Sequence, residues 1–323
     1  MLINKEYDLV IIGAGPVGLY ATFLAGYFRL ETLCIELDEF VGGQATKLYP
    51  NKKVHDFPGQ LEITADELVQ TLYRQATQFN NVQLQTKTKI VSYKKTTDDK
   101  IILYDDQNNT YITKNVLFTV GLGAFEPVKL SEDVLNGQNI KINYQHQKDQ
   151  NYSGEKIVIL GGGDSAVEYA YQIKDKYPEA IVTLIHRNEK LRAIVHSYDE
   201  LIKSNINVFL NANVESISET EITVKLPEHN MVCPYSYILV QYGLKSLGSD
   251  IHAWPEFVKN KNKFVVNDHY ETSISHFFAA GNCCYNPNKI DMIITGVAEA
   301  TIVINYIYTQ QKKDVNKTPF YTN

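Results

Sequence analysis

The sequence predicts an α/β fold with two dinucleotide-binding domains, the second inserted into the first. Two observations carry this: a glycine-rich turn at Gly13-Ala14-Gly15-Pro16-Val17-Gly18 and another at Gly161-Gly162-Gly163-Asp164-Ser165-Ala166. Each follows an apolar run and precedes a helix-like segment, the strand–turn–helix order of a Rossmann-like unit. A third is the strand pattern Phe277-Phe278-Ala279-Ala280-Gly281-Asn282, followed by an apolar helix at 295–308, which reads as a return to the first domain. The expected domains are 1–117 with 245–323 and, between them, 118–244.

The residues of each turn have separate reasons. The first glycine, Gly13 or Gly161, allows the tight strand-to-helix turn, and the second, Gly15 or Gly163, lets a pyrophosphate approach the backbone. The third position, Gly18 or Ala166, must be small so that helix and strand pack closely. Helix N-termini beginning at Pro16 and at Asp164-Ser165 then offer unpaired N–H groups to the phosphates. Six of the 18 glycines lie in these two turns.

The units differ where the adenosine ribose is read. In the first, the strand 31–35 ends at Glu36, about 20 residues past Gly13, where a carboxylate accepts the ribose hydroxyls. That half expects an unphosphorylated ribose, as in FAD. A β-rich stretch follows over 82–112, with turn signals at Asp98-Asp99 and Gln107-Asn108-Asn109. In the second, the strand 180–185 runs into His186-Arg187-Asn188-Glu189-Lys190-Leu191-Arg192-Ala193, with cations where the first unit has its acid. Guanidinium forks match a 2′-phosphate, so this half expects NADP(H). Only four arginines occur among the 31 basic residues, and two fall in this stretch. A strand at 237–242 closes the unit.

A net charge of −6 argues against nucleic acid as a partner. The uncharged run 9–28 contains Pro16 and four glycines and splits into strand, turn and helix rather than spanning a membrane. The N-terminus lacks the basic start and small-residue cleavage site of a signal peptide, so the expected location is cytoplasmic. The cysteines are Cys34, Cys233, Cys283 and Cys284, without a Cys-x-x-Cys, which argues against dithiol chemistry. Cys283 and Cys284 directly follow the Gly281-Asn282 turn. No histidine has a compelling partner, and no general acid, general base or metal ligand is assigned.

The combination of Gly42-Gly43-Gln44, Leu48-Tyr49-Pro50, the second glycine turn, His186-Arg187, Phe278-Ala279-Ala280-Gly281 and Thr295-Gly296 resembles the thioredoxin-reductase-like (type 2) ferredoxin/flavodoxin–NADP⁺ reductases of bacteria. The likeness spans essentially the whole chain, and the segment 138–154 lacks the cysteine pair that thioredoxin reductases carry there. It implies one FAD per subunit, hydride from NADPH to flavin, single-electron delivery to ferredoxin or flavodoxin, and a homodimer. It also implies that Tyr49 stacks on the isoalloxazine, that Gln44 and Asp56 contact the flavin or its ribityl chain, and that Gly121 and Thr295 lie near it. Asn282 stands where the family has aspartate, and the tail 316–321 lacks the family's histidine. Lys47, Lys52 and Lys53, with Lys312, Lys313 and Lys317, suggest a basic rim for an acidic carrier. The same motifs serve an NADPH-dependent flavoprotein that reduces a small disulfide, a quinone or free flavin. A non-catalytic FAD/NADP(H) sensor would need the same turns but would show no turnover.

Overall fold

The computed structural model describes residues 5–47, 50, 52–55, 57–135, 140, 142–144, 150–248 and 250–311. The chain divides into two compact units, Met1–Ala124 with Ser246–Asn323, and Phe125–Lys245. The first boundary falls after Ala124 rather than after residue 117, because the segment past Phe118 stays bonded to the first glycine turn. Thr119 Oγ1 donates to the carbonyls of Ile12 and Gly13, at 3.1 and 2.7 Å.

The first unit is built on a seven-stranded sheet. Its strands run in the order Val82–Gln85, Thr32–Ile35, Glu6–Ile12, Thr110–Phe118, Ile101–Asp105 and Ile90–Lys95, and Phe277–Ala279 also pairs with Thr110–Phe118. The pairs Leu9↔Thr32, Ile12↔Phe118, Thr32↔Val82 and Phe278↔Leu117 are parallel. A parallel strand is covered on both faces and needs apolar residues at consecutive positions. Glu6–Ile12 meets this need: Leu9, Val10 and Ile11 are all fully buried. Because strand side chains alternate, Leu9 and Ile11 face a core shared with Leu19, Leu24, Val69, Leu72, Val303 and Ile304, residues of the covering helices. Val10 and Ile12 face the other core, with Phe118, Phe277, Trp254 and Phe257.

The β-rich stretch resolves into a short parallel strand, Val82–Gln85, and an antiparallel meander from Ile90 to Phe118. Asp99 and Asn108 sit at its turns with φ of 59° and 62°, the left-handed region that Asp and Asn tolerate best among non-glycine residues.

The second unit repeats the plan in smaller form. Its four parallel strands run in the order Asn207–Phe209, Ile181–Ile185, Lys156–Leu160, Tyr237–Val240. Ile157 and Ile159 pack on Val167 and Ala170 of the helix Asp164–Lys176, and Val158 and Leu160 pack on Ile217, Ile222 and Val224. The latter three belong to an antiparallel meander, Asn213–Ile217, Glu221–Lys225 and Asn230–Pro234, that sequence reading did not delineate. Its alternation is interrupted by a register shift between Val214 and Ser216 and by surface positions of mixed polarity. Among the described residues no helix is long and apolar enough to cross a membrane.

Candidate functional site

The first glycine turn joins the strand Glu6–Ile12 to the helix Pro16–Tyr27. Gly13 has φ +106°, and a Cβ there would lie 2.7 Å from the Thr119 carbonyl oxygen. At Gly18 a Cβ would come within 1.9 Å of the Gly13 oxygen, so the helix crosses the strand end at backbone contact. Gly15 is different: nothing lies within 4 Å of its Cβ position, and its φ of −69° suits any residue. Gly15 is also the N-cap, without a side-chain cap, and Pro16 occupies the first helical turn. An uncapped helix N-terminus whose N-cap has open space at its Cβ position suits a pyrophosphate.

Glu36 ends the second strand and is buried. Its Oε2 accepts from the Ala14 N–H at 2.7 Å and its Oε1 from the Asp38 N–H at 3.0 Å. Burial pushes its carboxyl above the usual range, opposed by these backbone donors. The Leu37 N–H adds a third backbone donor, and a carboxylate, with about four acceptor sites, keeps room for a ribose hydroxyl.

Other first-unit residues gather at the same turn. Gly42 N–H donates to the Ala14 carbonyl at 2.8 Å, and a Cβ at Gly43 would lie 3.6 Å from Gly15 Cα. A Cβ at Gly121, where φ is +60°, would lie 3.9 Å from Gln44 Nε2, so those two residues are neighbours. Thr295 and Gly296 lie in the first turn of the helix Ile293–Gln311. Cβ positions at Gly296 and Gly281 fall 2.5 and 3.3 Å from Val17 Cγ2, which sets that helix start and the Gly281-Asn282 turn against the start of the nucleotide helix. Gln44, Gly121, Asn282 and Thr295 thus lie in or next to segments that meet the first turn and the start of its helix, whereas Tyr49 and Asp56 lie outside the described residues. These residues fit FAD.

The second turn has the same logic with one change. Gly161 has φ +148° and a Cβ would lie 2.3 Å from the Gln241 carbonyl oxygen. Gly163 is the uncapped N-cap of the helix Asp164–Lys176, with nothing near its Cβ position. Ala166 is fully buried and Ser165 partly exposed. The extra glycine, Gly162, is required because a Cβ there would lie 2.3 Å from the His186 ring.

His186, expected at the nucleotide loop beside the arginines, is buried, with Nε2 3.2 Å from the Lys190 carbonyl. Burial holds its pKa below the ordinary range, and Arg192 and Arg187 lower it further. It is therefore a neutral support for the turn, and the exposed Arg187 and Arg192 carry the charge. The unfolded imidazole protonates near pH 6.5, whereas the folded one resists. The sign follows: the contribution is present above pH 6.5 and is lost as pH falls. Thermal midpoints should decline from pH 7.5 to 5.5, and His186→Gln should flatten that slope; an equal slope in the variant would show that His186 is not the titrating group.

The arginine loop is pinned rather than loose. Arg192 N–H donates to the Gly162 carbonyl at 2.6 Å, and Ile194 N–H donates to Asp164 Oδ1 at 2.7 Å. Asp164, expected to touch the cofactor, is committed on that oxygen to the loop. Asp164→Ala should therefore raise the KM for NADPH about tenfold, the effect of losing one charge-assisted hydrogen bond, and leave FAD content unchanged. An unaltered KM would mean that the loop keeps its shape without the latch.

The expected basic rim is not free charge. Lys47 pairs with Asp38 at 2.9 Å, and Lys53 pairs with Glu62. Carboxylates from neighbouring loops neutralise these ammonium groups locally, while Lys312, Lys313 and Lys317 lie outside the described residues. Cys34, Cys283 and Cys284 are buried free thiols; burial pushes Cys34 and Cys283 up to about 12 and raises Cys284 as well. They are packed, protonated groups. Sequence reading missed Thr119 and the Asp164 latch, whose partners are distant in the chain. It also missed Glu299, although that is the one charged residue within the apolar helix Ile293–Gln311.

Two nucleotide turns, each at the end of a parallel-paired strand of its own sheet, with an acid after the next strand in one unit and arginines in the other, define a flavoprotein oxidoreductase of the two-dinucleotide class. Residues 7–300 match the model of the pyridine nucleotide-disulphide oxidoreductase family, and the chain belongs to that family. It uses FAD and a pyridine nucleotide. Over 320 residues the chain is 34% identical to the ferredoxin–NADP reductase of Streptococcus sanguinis (strain SK36), covering 96% of this chain and 97% of that one. It is 32% identical to the ferredoxin–NADP reductase of Malacoplasma penetrans (strain HF-2), covering 96% and 98%. In fold it is similar to the thioredoxin reductase of T. acidophilum, with a TM-score of 0.74 and 21% identity over 95% of this chain and 99% of that one.

Proposed function

We propose that this protein is a ferredoxin–NADP⁺ reductase that passes electrons from NADPH through FAD to ferredoxin or flavodoxin. The observation that carries the reading is its likeness, over nearly the full length, to reductases of that name in a chain without a Cys-x-x-Cys. In this reading Gly13, Gly15, Pro16 and Gly18 form the FAD phosphate turn, and Glu36 accepts its ribose hydroxyls. Gln44, Tyr49, Asp56, Gly121, Asn282 and Thr295 hold the flavin end. Gly161, Gly163, Ser165 and Ala166 receive the NADP pyrophosphate, Asp164 and His186 shape its loop, and Arg187 and Arg192 take the 2′-phosphate.

FAD, when bound, accepts two electrons as hydride and releases them singly. The chain's own task is orientation and electrostatics. Asn282 would accept a hydrogen bond from the ribityl chain as a neutral amide, without the charge assistance that a carboxylate gives. The reading also places the protein in the cytoplasm as a homodimer, following the family resemblance. Because Lys47 and Lys53 are paired, carrier docking is a mixed-charge contact with modest salt dependence. The test is NADPH-dependent reduction of cytochrome c with purified ferredoxin, flavodoxin or neither. Stimulation by a carrier supports the reading. Equal rates with and without carriers, together with rapid reduction of a disulfide, a quinone or free flavin, would assign another acceptor. No turnover with any acceptor would indicate a sensor.

A further inference from the structure

Among the described residues, one ion pair is buried on both sides. Lys289 Nζ lies 2.7 Å from Glu299 Oε2, and each side chain is 3% exposed. Both partners also bind the backbone of a single residue: Glu299 Oε2 accepts from the Gly281 N–H at 2.7 Å, and Lys289 Nζ donates to the Gly281 carbonyl. Cys284 Sγ completes the cluster, 3.3 Å from the ammonium and 3.5 Å from the carboxylate. Gly281 has φ +77° and packs on Val17 beside the first nucleotide turn, and Asn282 follows it directly.

A buried ion pair is a weak source of stability, because the desolvation of two charges consumes most of their attraction and a well-packed apolar pair does as well or better. Its distinctive product here is geometric. Two charged groups grip the donor and the acceptor of one peptide residue, and charge-assisted bonds hold position more firmly than neutral ones. We propose that Lys289 and Glu299 are positioning residues for the flavin: they lock Gly281 and so present Asn282 and the first turn of the C-terminal helix to FAD. The inference rests on the reading of 281–282 as part of the FAD site.

The test separates positioning from folding. The double variant Lys289→Met/Glu299→Leu removes both grips while keeping the site filled and uncharged. Its apoprotein should melt at or above the wild-type temperature, while its Kd for FAD, titrated into apoprotein, rises about tenfold or more. The visible circular dichroism of the bound flavin should change, reporting an altered ribityl and ring orientation. Glu299→Gln keeps an oxygen for the Gly281 N–H and should fall between the two. A folded double variant with wild-type FAD affinity and dichroism overturns the proposal, and one that fails to fold assigns the pair to stability instead. Wild-type protein that takes up no FAD would sink the flavin reading itself, an outcome separate from equal binding by wild type and variants.

Discussion

Gly15→Leu should give a folded protein that no longer holds FAD, and Gly163→Leu a folded yellow protein that no longer uses NADPH. Both positions have ordinary extended backbone and no protein atom within 4 Å of the Cβ. The first side-chain atom therefore meets no protein atom, and the stability cost is that of replacing a favoured glycine N-cap by leucine, about 1 kcal/mol, which leaves the protein folded. What it occupies is the approach to uncapped helix N–H groups. Losing two charge-assisted bonds to a pyrophosphate costs roughly 3–6 kcal/mol, which corresponds to at least about a hundredfold in affinity. Gly18→Ala is the contrast: its methyl group would sit 1.9 Å from a backbone oxygen, so this variant should lose stability together with flavin. Thermal melts and flavin absorbance distinguish the two kinds of failure. A Gly15→Leu protein with full FAD content would refute the assignment of the first turn.

The second large effect concerns the nicotinamide nucleotide. Arg187→Ala with Arg192→Ala should reduce kcat/KM for NADPH by about two orders of magnitude or more, since each guanidinium–phosphate contact is worth roughly 1.5–3 kcal/mol. NADH, which lacks the 2′-phosphate, should be used with nearly unchanged efficiency. Both side chains are exposed, so the fold has little to lose. The loop that carries them is anchored at Gly162 and Asp164, so their entropy of ordering is already reduced in the free protein. Equal wild-type efficiency with NADPH and NADH would refute the phosphate assignment, and parallel loss with both would show that the arginines act on the fold of the loop.

The two glycine turns, the strand ends at Glu36 and His186 and the return of the chain after residue 277 were legible because each rests on local geometry. A tight turn needs glycine and a buried parallel strand needs a continuous apolar run, and these needs are written within a few residues of one another. Helix and strand limits followed within a few residues for the same reason: the strand read at 180–185 is Ile181–Ile185, and the helix read at 295–308 is Ile293–Gln311. Where a side chain is aimed depends on distant partners. Spacing set His186 beside the arginines of the nucleotide loop, but only the fold shows that its ring fills the space above Gly162 and that desolvation keeps it neutral. Lys47 and Lys53 looked like a free rim until Asp38 and Glu62, each nine residues away on another segment, were brought beside them. Lys289 and Glu299 meet across a turn and a helix start to grip Gly281. Sequence alone determined the two nucleotide turns and the order of their elements, because backbone sterics and hydrophobic burial act locally. Tertiary structure alone decided which charges are paired, buried or free to meet a ligand, because Coulombic and desolvation energies depend on distances that only the folded chain sets.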